Sequence, residues 1–89
     1  MEPFIHSTRD LREAGFLWAQ RQVKVRFKGL EKSEQLPGVF KFQFEILSQR
    51  SEFESLLSLY MNQEAEVEPK TYDQKLSNLR DNLRKAKSN

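Results

Sequence analysis

VKVRFKGLEKSEQLPGVFKFQFEIL, residues 23–47, decides how this chain folds. Over its first six positions Val23, Val25 and Phe27 alternate with Lys24, Arg26 and Lys28. A second run sets Phe40, Phe42, Phe44 and Ile46 against Val39, Lys41, Gln43 and Glu45. Successive side chains of a strand point to opposite sides, so this period of two marks two strands, each with one apolar side. Between them lies GLEKSEQLPG, which begins and ends in glycine and carries Pro37 before Gly38. It exceeds the usual hairpin connection of about 2–5 residues, so turn type does not set the register.

Upstream, Phe4-Ile5-His6-Ser7-Thr8 reads as a short strand. Ser7 or Thr8 is then placed to cap a helix, and Ser7-x-x-Asp10 has the spacing of an acidic capping box. Leu11, Ala14, Leu17 and Trp18 form an apolar stripe at three- and four-residue steps. Gly15 within that helix is unfavourable by up to about 1 kcal/mol against alanine, which suggests close packing at that point. Downstream, Ser51-Glu52-Phe53-Glu54 has the form of a capping box, followed by Phe53, Leu56, Leu57, Tyr60 and Met61 on one broad face. The acidic link NQEAEVEP ends at Pro69, which suits the first turn of a last helix. There Tyr72, Leu76, Leu79, Leu83 and Ala86 form a narrower seam, and Arg84, Lys85 and Lys87 complement the helix dipole at its end.

These readings give the order β-α-β-β-α-α: one small α+β domain of residues 1–89, with a two- or three-stranded sheet covered on one face by helices. A chain of 89 residues, 37% hydrophobic and 31% charged, with one tryptophan and seven phenylalanines, suits a single folded domain. At this size folding buries only about 60–65% of the surface of the unfolded chain, so stability is expected to be modest.

TRDLREAGFL (residues 8–17) and YMNQEAEVEPKTYDQKLSNLRDNL (residues 60–83) together resemble a family of short bacterial and phage domains without an assigned function. Its pattern is T-x-D-L followed by A-x-F-L, and later Y-x-N-G-E-A and V-x-P before a leucine-stepped helix. Thr8, Asp10, Leu11, Ala14, Phe16 and Leu17 match the first half. Tyr60, Asn62, Glu64, Ala65, Val67, Pro69, Tyr72, Leu76 and Leu79 match the second, and Gln63 stands where the family carries glycine. The resemblance implies a small α/β domain with an aromatic strand, and it supplies no activity, ligand or catalytic residue to carry over.

Composition narrows the chemistry. With no cysteine, disulfides, thiolate nucleophiles and Cys-ligated zinc are excluded, and a cytoplasmic setting is expected. The start MEPFIHSTRD has no basic region followed by an apolar run, so no secretory signal is expected. No apolar stretch approaches the roughly 20 residues of a membrane span. His6 is the one histidine, and with scattered carboxylates it makes neither a metal site nor a nucleophilic triad. The three glycines are far apart and form no phosphate-cradling loop. The expectation is a non-catalytic module with no cofactor and no metal.

A net charge of +2 conceals a polarised chain. Residues 9–30 carry six basic and two acidic side chains, residues 45–68 one basic and six acidic, and residues 69–89 six basic and two acidic. If the two strands pair, Lys24, Arg26, Lys28 and Lys41 share the sheet face away from the phenylalanines. Such a face could follow nucleic-acid phosphates, with Arg84, Lys85 and Lys87 as a second patch. The alternative is that this face is simply the solvated side of a half-covered sheet. A rival function is protein association, as an adaptor or homodimer, through the acidic segment 45–68 and the helix bearing Tyr72, Leu76, Leu79 and Leu83.

Overall fold

Both alternating runs become strands, and the computed structural model describes residues 2–88. Strands β1 (Phe4–Thr8), β2 (Val25–Lys32) and β3 (Phe40–Ile46) form one antiparallel sheet in the order β1-β3-β2. Helices α1 (Leu11–Ala19), α2 (Arg50–Met61) and α3 (Pro69–Lys87) complete the expected α+β order. Phe42, Phe44 and Ile46 of the central strand are buried in one core with Ala14 and Leu17 of α1, Phe53 and Leu56 of α2, and Leu79 of α3. The helices therefore cover the phenylalanine side. Lys41, Gln43 and Glu45 lie on the opposite, helix-free side and are only half-buried.

The hairpin departs from simple alternation at one place. Phe27 stands opposite Phe44, but Gly29 rather than Lys28 stands opposite Gln43, so Lys28 is an extra residue, a β-bulge. Gly29 adopts φ +125°, which L side chains rarely reach, and this permits the break in pleat. Beyond it the faces exchange parity. Leu30 and Lys32 oppose Phe42 and Phe40 on the helix side, while Glu31 opposes Lys41 on the open side. The strand thus extends four residues into the stretch expected to be loop, because the bulge returns Leu30 to the apolar side.

Two helix starts differ from expectation. Asp10, not Ser7 or Thr8, caps α1, its carboxylate accepting from the backbone N–H groups of Arg12 at 2.9 Å and Glu13 at 3.4 Å. Ser7 and Thr8 are still paired to β3, and the Thr8 hydroxyl accepts from the Asp10 N–H. Helix α2 begins before the Ser51 capping box. Gln49 is its extended N-cap without a side-chain bond, so Ser51 already lies in the first turn.

The C-terminus of α2 carries the glycine-position departure. Gln63 has φ 60°, the Gln63 N–H donates to Tyr60 O, and the Glu64 N–H donates to Leu59 O. This is the Schellman pattern, in which the left-handed position favours glycine. A side chain there is strained, so Gln63→Gly is expected to stabilise the fold by about 1 kcal/mol. A denaturation midpoint that stays level or falls would contradict this.

Helix α3 lies against α1 at Gly15. The α3 seam is taken up by this chain's own core: Leu79 is fully buried, and Tyr72 and Leu83 pack against the buried cluster. Trp18, Phe27 and Phe44 form a run of rings with centroids 4.8 and 5.4 Å apart, and Lys75 of α3 places its ammonium 4.4 Å from the centre of the Trp18 ring. Such contacts tie α1, the sheet and α3 into one unit.

Candidate binding surfaces

Three parts of the molecule bear on function: the open sheet face, the His6 corner, and a groove at the far end of α3.

On the open face the register sets which charges meet. Lys24 continues the β2 ladder, its carbonyl accepting from the Leu47 N–H, and Arg26 lies directly across from Glu45. The Arg26 guanidinium pairs with the Glu45 carboxylate. Lys41 lies opposite Glu31, whose carboxylate accepts from the Gln43 amide. Lys24, Arg26 and Lys41 therefore do share the open face, but Glu45 and Glu31 stand among them. The four residue steps from Glu45 to Lys41 span roughly 13 Å of strand, so Arg26 and Lys41 occupy opposite ends. Lys28 sits in the bulge, exposed. The Arg26–Glu45 pair gives modest local stabilisation, and Glu31 offsets part of the Lys41 charge across the strands.

His6 lies on the helix side of β1, opposite Phe44, with its ring 5.0 Å from that of Phe53. Its Nε2 is buried 3.5 Å from Glu13 Oε2, an electrostatic contact that lacks hydrogen-bond geometry. The His6 imidazole, helped by the Thr8 hydroxyl, holds the Glu13 carboxyl below its ordinary value of 4.5, while burial opposes the shift. The charged carboxylate is thus favoured by folding. Its contribution to stability is complete above the ordinary carboxylate value and is lost as pH falls through the lower folded one. Glu13→Gln is accordingly expected to flatten the acid limb of a stability-against-pH curve. An unchanged limb would show that Glu13 carries none of the dependence. Among the described residues no group of three or more metal-ligating side chains comes together. Phe53 and Glu13 are the side chains that meet the His6 ring, and the Thr8 hydroxyl reaches it only through Glu13.

The third place joins parts of the chain that are distant in sequence. Arg9 follows β1, Lys32 ends β2, and Lys87 ends α3. A groove of about 200 Å³ is lined by Arg9, Leu11, Gly38, Phe40, Leu83 and Lys87, among others. A second hollow, of about 380 Å³, shares Gly38, Phe40 and Lys87 with it and adds Lys32 and Ala86. Among the described residues no carboxylate lines either one, and none of the three cations is in an ion pair. Lys87 is the member of the expected basic patch that reaches this groove. Arg84 and Lys85 are exposed on the same last turn of α3, with Arg84 3.5 Å from Asp81. Arg9 and Lys32 were not among the expected site residues. Lys32 reaches the groove because the bulge turns it to the helix side, which simple alternation does not reveal.

No family model, curated protein or solved structure matches this chain.

The acidic surface is separate. Glu52, Glu54, Glu64, Glu66 and Glu68 are exposed along α2 and the link before α3. Leu59 and Met61 are exposed beside them, Met61 by 71%. No helix of the described residues is long and apolar enough to cross a membrane.

Proposed function

We propose that this chain is a non-catalytic binding module that contacts the phosphates of nucleic acid. One observation carries the reading: Arg9, Lys32 and Lys87, from three distant parts of the chain, line two adjoining hollows that share Phe40 and Lys87, with no carboxylate among the described lining residues. Cations that a fold brings together without neutralising them form a standing positive potential, which favours an anionic chain. The groove displaces the open sheet face as the main contact, because Glu45 and Glu31 counter Arg26 and Lys41 there. Arg84 and Lys85 extend the positive region along α3, and Lys24 and Lys28 add to the general attraction. The absence of cysteine fits a cytoplasmic setting.

Binding of this kind is weak and tolerant of sequence, with dissociation constants of about 10⁻⁴–10⁻⁶ M at physiological salt. Three phosphate contacts give log affinity a slope near −2 against log salt on a single strand, from about 0.7 per phosphate. The test is anisotropy of labelled DNA and RNA at two ionic strengths. The double charge reversal Lys32→Glu/Lys87→Glu should weaken low-salt binding by about tenfold or more, whereas Lys24→Glu/Arg26→Glu should leave most of it. No binding at low salt overturns the proposal, and loss only with the second pair returns the site to the open face.

The acidic surface around Leu59 and Met61 favours a second reading, a protein-contact adaptor or homodimer. It uses the 45–68 segment rather than the α3 seam, whose Leu79 and Leu83 already face this chain's core. A mass by light scattering that rises with concentration would support self-association.

A further inference from the structure

Phe40 stands apart from the other phenylalanines. Among the described residues Phe16, Phe42, Phe44 and Phe53 belong to the buried cluster, and Phe4 and Phe27 pack against it. Phe40 belongs to neither group, although it lies on the helix side of β3, directly across from Lys32. It lines both hollows, as does Lys87. A half-buried ring at the rim of the core, beside three cations that lack an ion pair among the described residues, combines the two elements by which single-stranded nucleic acids are held. Cations follow the backbone, and an aromatic face takes an unstacked base. A duplex offers phosphates but keeps its bases stacked inside, so it leaves the ring unused. An acidic peptide satisfies the cations but brings no planar group to the ring.

We propose that the groove between β3, the end of β2 and the last turn of α3 is a single-strand site, in which a base stacks on Phe40 while its flanking phosphates meet Arg9, Lys32 and Lys87. The site rests on the nucleic-acid reading above and adds to it the choice of strand form. It places the base contact on Phe40, the half-buried β3 phenylalanine at the end of α3, whereas Phe42 and Phe44 are buried.

The test titrates the full chain with three labelled probes at low salt: a short oligothymidylate, an abasic strand of equal length, and a duplex of equal length. Oligothymidylate should bind about tenfold more tightly than either of the others, in line with the stacking contribution of one base. Phe40→Leu, which keeps an apolar side chain and removes the ring, should lose that advantage while binding the abasic strand as wild type does. Circular dichroism of the variant confirms that the fold is retained, and Phe40→Tyr should restore the preference. Equal binding of all three probes, or a Phe40→Leu variant that keeps the preference, overturns the single-strand site and leaves the phosphate reading standing. Competition by polyglutamate as effective as that by oligothymidylate overturns it in favour of an acidic peptide. Failure of every nucleic-acid probe to bind removes both proposals together.

Discussion

Replacing Phe44 with alanine is expected to cost about 3–5 kcal/mol, the range for removing a fully buried phenylalanine. The residue lies at the middle of the central strand with no exposed surface. It is flanked by His6 on β1 and Phe27 on β2, the latter with its ring 5.4 Å away. The cavity would open where both edge strands and the helical layer meet, so no single neighbour can move in to fill it. A domain of this length has a total stability of roughly 4–13 kcal/mol, so the loss takes a large part of it. Chemical denaturation should show a much lower midpoint with a little-changed slope. A shift worth less than about 1 kcal/mol would be incompatible with the packing described.

Gly15→Val is expected to have the second-largest effect, about 2–3 kcal/mol. A Cβ at Gly15 would lie 2.6 Å from Leu76 Cδ2, 3.1 Å from Leu76 Cγ and 3.2 Å from the Tyr72 ring. Leu76 Cδ2 can swing aside, but Leu76 Cγ and the ring follow the backbone of α3. Both must give by a few tenths of an ångström for a Cβ, and by more for the valine methyl groups. Alanine at this position gains about 1 kcal/mol of helix propensity, which masks part of the clash; valine forgoes that gain and adds two methyl groups. The double variant Gly15→Val/Leu76→Ala should recover part of the loss, since neighbours in contact are not additive. Full additivity would mean that α1 and α3 do not meet at this point.

Most of the architecture was legible in local pattern. The alternation in residues 23–28 and 39–46 marked β2 and β3, Phe4–Thr8 marked β1, and the stripes at three- and four-residue steps marked the helices. Gly15 announced close packing because a glycine inside a good helix has few other uses. Capping was legible less well, because it depends on where the preceding element stops. Pairing of Thr8 to β3 moved the cap to Asp10, and the early turn into α2 left Ser51 inside the helix.

The candidate site was the least legible part. Which acid stands beside Arg26 or Lys41 is a matter of register, and a long connection leaves register open until the strands pair. The bulge then inverted the parity of everything from Leu30 to Lys32. The groove itself draws on residues 9, 32, 40 and 87, which no repeat period relates. What hinted at it was charge: the two basic segments lie at opposite ends of the chain, and a fold that returns α3 to α1 brings them near each other.

The strand order β1-β3-β2 bears on how the chain is made as well as on what it binds. The innermost strand is the last of the three to leave the ribosome, so neither margin of the sheet has its native neighbour until residues 40–46 have emerged. Up to that moment the nascent polypeptide is a set of locally ordered pieces with nothing to zip against. Completion of the sheet therefore waits for the middle of the chain, and a stall that keeps residues 40–46 inside the ribosome once residues 4–32 are outside would hold exposed apolar segments in reach of chaperones.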